Sequence, residues 1–262
     1  MPHENIVFEI QNGIARLTLN RPDKLNSFNV AMHLEVREAL EKTREDSSAR
    51  VLVLTGAGRG FCAGQDLGDR AVSPGGEVDL GESIEKYYAP LVRSLRALPL
   101  PVIAAVNGVA AGAGVQVALA CDIVIAAKSA SFIEPFCKLG LIPDTGGTYF
   151  LPRLVGVARA MGISMLGEKI PAEQAAQWGL IWRAVDDAEF PNTVGAIAAQ
   201  LASGPTRGLA RIKEAIYASV NNRLEQQLEL ERDFMRELGR SRDYQEGVAA
   251  FLEKRAPNFR GA

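Results

Sequence analysis

A chain of 262 residues with 47% hydrophobic content is long enough to bury one large core, which excludes a disordered or fibrous protein. Its 29 basic and 31 acidic residues are interspersed and sum to −2, so nucleic-acid phosphates meet no general attraction and no nucleic-acid partner is expected. The longest apolar stretches, at 101–106 and 115–127, are broken by Asn107, glycines and Asp122, so no membrane span is expected either.

The start MPHENIVFEI lacks the basic beginning and apolar stretch of a secretory leader, and a cytoplasmic location is the expectation. In IVFEIQNGIARLTLN (6–20), apolar and polar residues alternate on either side of Asn12-Gly13, a pair that supplies the positive φ angles of a tight hairpin turn. Residues 30–45 place Met32, Val36 and Leu40 on one face and charges on the other, which predicts a helix. VLVLTG (51–56) reads as a short buried strand. The pattern recurs in PVIAAVNG (101–108) and DIVIAA (122–127), apolar runs separated by segments long enough for helical crossovers. Buried parallel strands in an α/β core explain it. Residues 68–82, rich in Gly, Pro and Asp, read as an exposed connection, with a closing lid as the alternative. From Pro171 the pattern turns helical, at 171–179, 190–201 and 206–220, and charged helices fill the last forty residues. There Leu224, Leu228 and Phe234 form an apolar stripe of the kind that packs. No repeat or linker is visible, so the expected division is a core over 1–200 and a helical extension over 201–262.

Cys62, Cys121 and Cys137 form no CxxC pair and are odd in number, which argues against a disulfide framework and against a zinc site; no metal is expected. His3 sits at the terminus and His33 in a charged helix pattern, so a serine or cysteine triad lacks its base. TGAGRG (55–60) follows a strand, but Phe61 stands where a dinucleotide loop requires its third glycine. Two glycine-bearing loops remain, GRGFCAGQDL (58–67) and NGVAAGAG (107–114). A helix starting near Gly112 would aim unpaired N–H groups at a developing anion, so the two loops could form an oxyanion hole, or serve only as strand-to-helix turns. In LGLIPDTGGT (139–148), Asp144 lies in an apolar setting that would raise its proton affinity toward the range useful for proton transfer; capping the next helix is the alternative role.

With LNRPDKLNSF (19–28), PVIAAVNGVAAGAG (101–114), ACDIVIAAKSASF (120–132) and FLEKRAPNF (251–259), these segments resemble the crotonase, or enoyl-CoA hydratase/isomerase, superfamily over essentially the whole chain. The resemblance implies a crotonase-type α/β spiral of ββα units with a helical C-terminal extension, assembling as trimers or pairs of trimers. It implies an acyl-CoA thioester as substrate, with CoA a part of that substrate and no separate cofactor. The backbone N–H groups of Gln65 and Ala113 become the oxyanion hole. Hydratases of the family carry two glutamates where this chain has Gln116 and Phe136; Glu134, two residues earlier, fills neither place without a gap in the match. Asp144 falls instead where the isomerases place their acid. A single carboxylate there would take a proton from one carbon and return it to another.

Lys24, Leu25, Ala63, Asp66 and Leu67 are implied along the CoA path, with Phe251 and Lys254 reaching it from a neighbouring subunit. Val109, Gly112, Pro135 and Phe136 are implied around the acyl pocket. Within the superfamily, FCAGQDL, YYAPLV (87–92), LIPDTGGT and WGLIWRAVDD (178–187) are most similar to isomerases that turn the ring epoxide of an arylacetyl-CoA into an oxepin. The same enolate chemistry covers a shift of a 3,4 double bond to the 2,3 position. The alternatives are an enoyl-CoA hydratase, or a non-catalytic acyl-CoA- or RNA-binding member of the fold.

Overall fold

In the computed structural model of the chain, which describes residues 3–66, 68 and 79–262, Asn12 and Gly13 take φ angles of 53° and 79°. That turn closes the hairpin between β1 (Ile6–Gln11) and β2 (Ile14–Leu19), in register from Ile6 opposite Leu19 to Gln11 opposite Ile14. β2 then pairs in parallel with β3 (Val51–Gly56), and the sheet continues through β5 (Val102–Val106), β7 (Ile123–Ala127) and β10 (Arg183–Val185). Every residue of β5 is buried, as its unbroken apolar sequence requires.

A second sheet holds the strands too short to show any periodicity in the sequence. Its order is β4 (Gly60–Cys62), β6 (Val109–Ala111), β8 (Ser131–Ile133) and β9 (Lys169–Pro171), parallel except for the last pair. The long strands β3, β5 and β7 are each followed by one of these short strands, which generates the repeated ββα turn of the crotonase spiral. The two glycine-bearing segments therefore contain strands as well as loops.

Helices close the outer faces. α1 (Val30–Glu45) is capped by the Asn29 side chain, which accepts from the Met32 N–H at 2.8 Å, and it packs on β1 and β2. α7 (Phe190–Ala202) buries Phe190, Val194, Ala198 and Ala202, one residue every fourth position, against β2, β3 and β7. Between them in the chain lie α2 (Leu80–Ser83), a π-helical turn over Ile84–Tyr88 and α3 (Ala89–Ala97). The exposed connection expected over 68–82 thus ends at Asp79, whose side chain caps α2. Residues 69–78, where the alternative of a lid would be decided, lie outside the described residues. α4 (Ala113–Leu119), α5 (Gly147–Leu166) and α6 (Ala172–Gln177) complete the core.

The C-terminal helices are α8 (Thr206–Ser219), α9 (Leu224–Leu238) and α10 (Arg242–Glu253), and α8 is tied to the core by buried polar contacts. Lys213 Nζ pairs with Asp122 at 3.0 Å and donates to the Leu95 carbonyl at 2.9 Å. Burial lowers the proton affinity of Lys213, and the charge of Asp122 opposes that shift. The carboxylate also accepts from the Val102 N–H and the Tyr217 hydroxyl. Position 200, the expected edge of the core, falls inside α7. On α9, Leu224 and Leu228 are exposed within the single chain, contrary to the packing expected of that stripe, whereas Phe234 is half-buried beneath the Arg211 guanidinium. No helix among the described residues is long and apolar enough to cross a membrane. Replacing Lys213 by Met should cost about 3 kcal/mol in urea unfolding, because the half-buried Asp122 then loses its countercharge.

Candidate active site

The site begins with a side chain that the sequence reading passed over. Asn26 is fully buried with φ 57°, and its Nδ2 donates to the carbonyls of Ala57 at 2.9 Å and Gly60 at 2.8 Å. Its Oδ1 accepts from the Arg21 N–H at 2.9 Å. These bonds pin the 21–28 loop beside the 58–66 loop, and the Ala63 N–H adds a bond to the Leu25 carbonyl. A parallel bridge then joins Phe28 to Gln65. It uses the N–H groups of Phe28 and Asp66 and the carbonyl groups of Gly64 and Phe28, so the N–H of Gln65 points to the opposite side.

On that opposite side lies the start of α4. A Cβ on Gly64, whose φ is 85°, would lie 2.8 Å from the Ala111 carbonyl oxygen and 3.2 Å from the Ala113 nitrogen. At Gly114 a Cβ would lie only 2.2 Å from the Cys62 carbonyl oxygen. The two loops therefore touch backbone to backbone. Ala113 is the first residue of α4, so its N–H has no intrahelical acceptor, and Gly112 reaches it with φ 52° and ψ −131°. The Ala113 N–H thus starts α4 within close reach of Gly64, the residue before Gln65.

Asp144 lies in the segment entering α5. The backbone turns there through Thr145 at φ 53° and Gly146 at φ 91°. Gly146 is the N-cap of α5, and the Asp144 carbonyl accepts from the Gly147 N–H at 2.7 Å. Its carboxylate is half-buried and accepts from the Thr145 hydroxyl at 2.9 Å. It lines a cleft of about 700 Å³ with Ile142, Pro143, Ile84, Glu85 and Arg93 among the other walls.

Behind this segment sits a carboxyl that motif alignment had set aside. Glu134 follows β8, is 1% exposed, and its Oε1 accepts from Gln116 Nε2 at 2.7 Å. Burial pushes its proton affinity up to about 8; the Gln116 bond opposes the shift and the charge of Asp144 adds to it. Phe136, by contrast, packs its ring 3.7 Å from the position a Cβ on Gly112 would occupy.

Residues 9–262 match the family model described as Enoyl-CoA hydratase/isomerase. The chain belongs to that family. Among curated relatives it is 57% identical to the 1,2-epoxyphenylacetyl-CoA isomerase of Escherichia coli strain K12, covering 98% of this chain and 99% of that one. It is 50% identical to the "Probable enoyl-CoA hydratase" of Rhodobacter capsulatus over the full length of both. A solved structure, the enoyl-CoA hydratase of Bacillus anthracis, superposes with a TM-score of 0.91 at 34% identity, covering 99% of this chain and all of that one.

The remaining residues inferred from the enoyl-CoA hydratase/isomerase resemblance divide by location. Lys24 is exposed on the pinned loop and acts on the charge of Asp66. Burial pushes the Asp66 carboxyl up, but the Arg21 bond at 2.8 Å, the Gly68 N–H and the charges of Arg21 and Lys24 hold it below the usual range. The Gln65 side chain accepts from the Tyr88 hydroxyl at 3.0 Å. Val109 is half-buried in β6 between Gly60 and Ser131, and Pro135 opens the 3-10 turn Pro135–Leu139. Leu67 lies outside the described residues. Phe251, 84% exposed, lines a separate apolar groove with Tyr244, Val248 and Phe259, and Lys254 ends α10, so a single chain does not bring either to the Asp144 cleft. Cys62 is buried and its thiol is pushed up to about 12 by that burial. Gly64→Ala should force the two loops apart and lower acyl-CoA turnover by about a hundredfold or more, read by steady-state kinetics alongside a circular dichroism spectrum that stays native.

Proposed function

We propose that the chain is an acyl-CoA isomerase that works through a thioester enolate, and that its substrate is a ring epoxide of the phenylacetyl-CoA type. The Asp144 carboxylate removes a proton from the carbon next to the thioester. Negative charge moves onto the thioester oxygen, where the N–H groups of Gln65 and Ala113 meet it as it develops. Asp144, now a carboxylic acid, returns the proton further along the conjugated system, so no atom is gained or lost. For an arene oxide this accompanies opening of the ring to an oxepin; for a 3-enoyl thioester it moves the double bond to the 2,3 position.

One observation carries the reading. The positions where hydratases of the family hold two glutamates are occupied by Gln116 and Phe136, neither of which exchanges a proton at neutral pH, while Asp144 lines the adjoining cleft. The 57% identity to a ring-epoxide isomerase supports the substrate class. In the same reading, the core up to about residue 200 carries the chemistry. The final helices build a trimer or a pair of trimers, in which Phe251 and Lys254 of one subunit approach the CoA of the next. The exposed Leu224, Leu228 and Phe251 suit such an assembly. The cytoplasm, where CoA thioesters are made and consumed, is its setting.

Asp144→Asn keeps the shape and removes the titrating group. It should lower kcat for ring-epoxide and 3-enoyl CoA esters by about a hundred- to ten-thousandfold with KM within about threefold. Retention of turnover within a few-fold would overturn the assignment, and rapid hydration of crotonyl-CoA by the native enzyme would favour the hydratase reading.

A further inference from the structure

The side chains of Glu134 and Gln116 form a pair enclosed on all sides. Gln116 is fully buried and Glu134 is 1% exposed. Gln116 Nε2 donates to Glu134 Oε1 at 2.7 Å, yet Gln116 Oε1 and Glu134 Oε2 are both buried and meet no hydrogen-bond partner among the described residues. Both orphaned atoms are acceptors, and both belong to the same pair. The pair's one donor group, the Gln116 NH2, faces Glu134 Oε1, and an ionised carboxylate adds no donor for the Gln116 carbonyl. One proton on the carboxyl supplies it. Turning the amide over does not remove the need, because its carbonyl would then face the carboxyl and require the same proton.

The pair also has a mechanical connection to the acid of the site. A Cβ on Gly147 would lie 2.5 Å from Gln116 Nε2 and 2.7 Å from the Pro143 side chain, so the amide is wedged under the segment that carries Asp144. The Gly147 N–H in turn donates to the Asp144 carbonyl at 2.7 Å. Contact therefore runs from Glu134 through Gln116 and Gly147 to Asp144. The charge of Asp144 is felt at Glu134. Other titratable groups in the neighbourhood are Cys137 and Lys138, which flank Gly167 beside the Glu134 carbonyl, and Lys169, opposite Ile133 on β9; both lysines are exposed.

We propose that Glu134 is a positioning residue for the isomerase reaction, held as a neutral acid paired with Gln116 so that the Asp144 segment is fixed and no second charge lies behind Asp144. The proposal rests on the isomerase reading above and adds a residue to it. Glu134 exchanges no proton with substrate. If it ionises, the pair loses its donor and a second negative charge faces both Asp144 and the developing enolate.

The native enzyme should therefore lose kcat roughly tenfold per pH unit once pH passes about 8, with KM nearly constant. In Glu134→Gln, which keeps an uncharged partner for Gln116, kcat should stay within about twofold over the same range. Infrared difference spectroscopy of the native protein, which needs no variant to fold, should show a protonated carboxyl at neutral pH that titrates near 8. Its midpoint should fall in Asp144→Asn, where the neighbouring charge is gone. An unchanged alkaline limb in Glu134→Gln, or no protonated carboxyl at neutral pH, would overturn the proposal. The two readings fail separately: a fully active Asp144→Asn sinks the isomerase assignment, whereas an inactive Asp144→Asn together with a retained alkaline limb in Glu134→Gln sinks only the role of Glu134.

Discussion

Direct contact between two stretches of main chain, with no side chain between them, is the constraint on which the site depends. Parallel pairing of β4 with β6 brings Gly60 opposite Val109 and Cys62 opposite Ala110. At Gly108 a Cβ would lie 2.1 Å from the Arg59 carbonyl oxygen, and at Gly64 and Gly114 the room is scarcely greater. Any side chain at these positions would separate the strands or bend the loops. In the proposed reading, that close approach lets the N–H groups of Gln65, bridged to Phe28, and Ala113, at the start of α4, meet the thioester oxygen together. Such donors are already oriented before the reaction begins, which is what makes them effective against charge that appears only in the transition state.

Around this positive end the acidic groups are kept apart in character. Asp144 is half-buried at the edge of a cleft and bonded to the Thr145 hydroxyl. Glu134 is enclosed, and burial favours its neutral form. Phe136 replaces a possible second proton donor with a ring packed near Gly112. Asp66 is paired with Arg21 at 2.8 Å. In the proposed reading, Asp144 moves the proton and the enolate charge has one place, an arrangement suited to moving a hydrogen within a molecule and poorly suited to activating water between two bases.

Much of this architecture was legible in the residues. The Asn12-Gly13 turn, the helix over 30–45 and the buried runs at 51–56, 101–108 and 122–127 follow from local periodicity and turn chemistry, which the packing then reinforces. The second sheet was not legible, since strands of three residues carry no alternation to read. The oxyanion loops were visible as glycine-bearing segments, but the steric reason for each glycine depends on a partner far away in sequence. Asn26 was missed, and Glu134 was named but set aside, for related reasons. A buried asparagine in a loop looks like any turn residue until its acceptors at Ala57 and Gly60 are known. Glu134 stands two residues from the position the family pattern assigns to an acid, and only its burial beside Gln116 shows that it belongs to the site's surroundings.

The oxyanion site is tested most directly by the carbonyl it is meant to hold. Isotope-edited infrared or Raman spectra of an unreactive arylacetyl-CoA thioester, labelled at the thioester carbonyl, report how strongly that oxygen is polarised when bound. Donation from Gln65 and Ala113 requires the stretching band to move to lower frequency on binding, and to move back when either loop is displaced. A bound thioester whose band stays at its position in water would contradict the enolate chemistry at its origin.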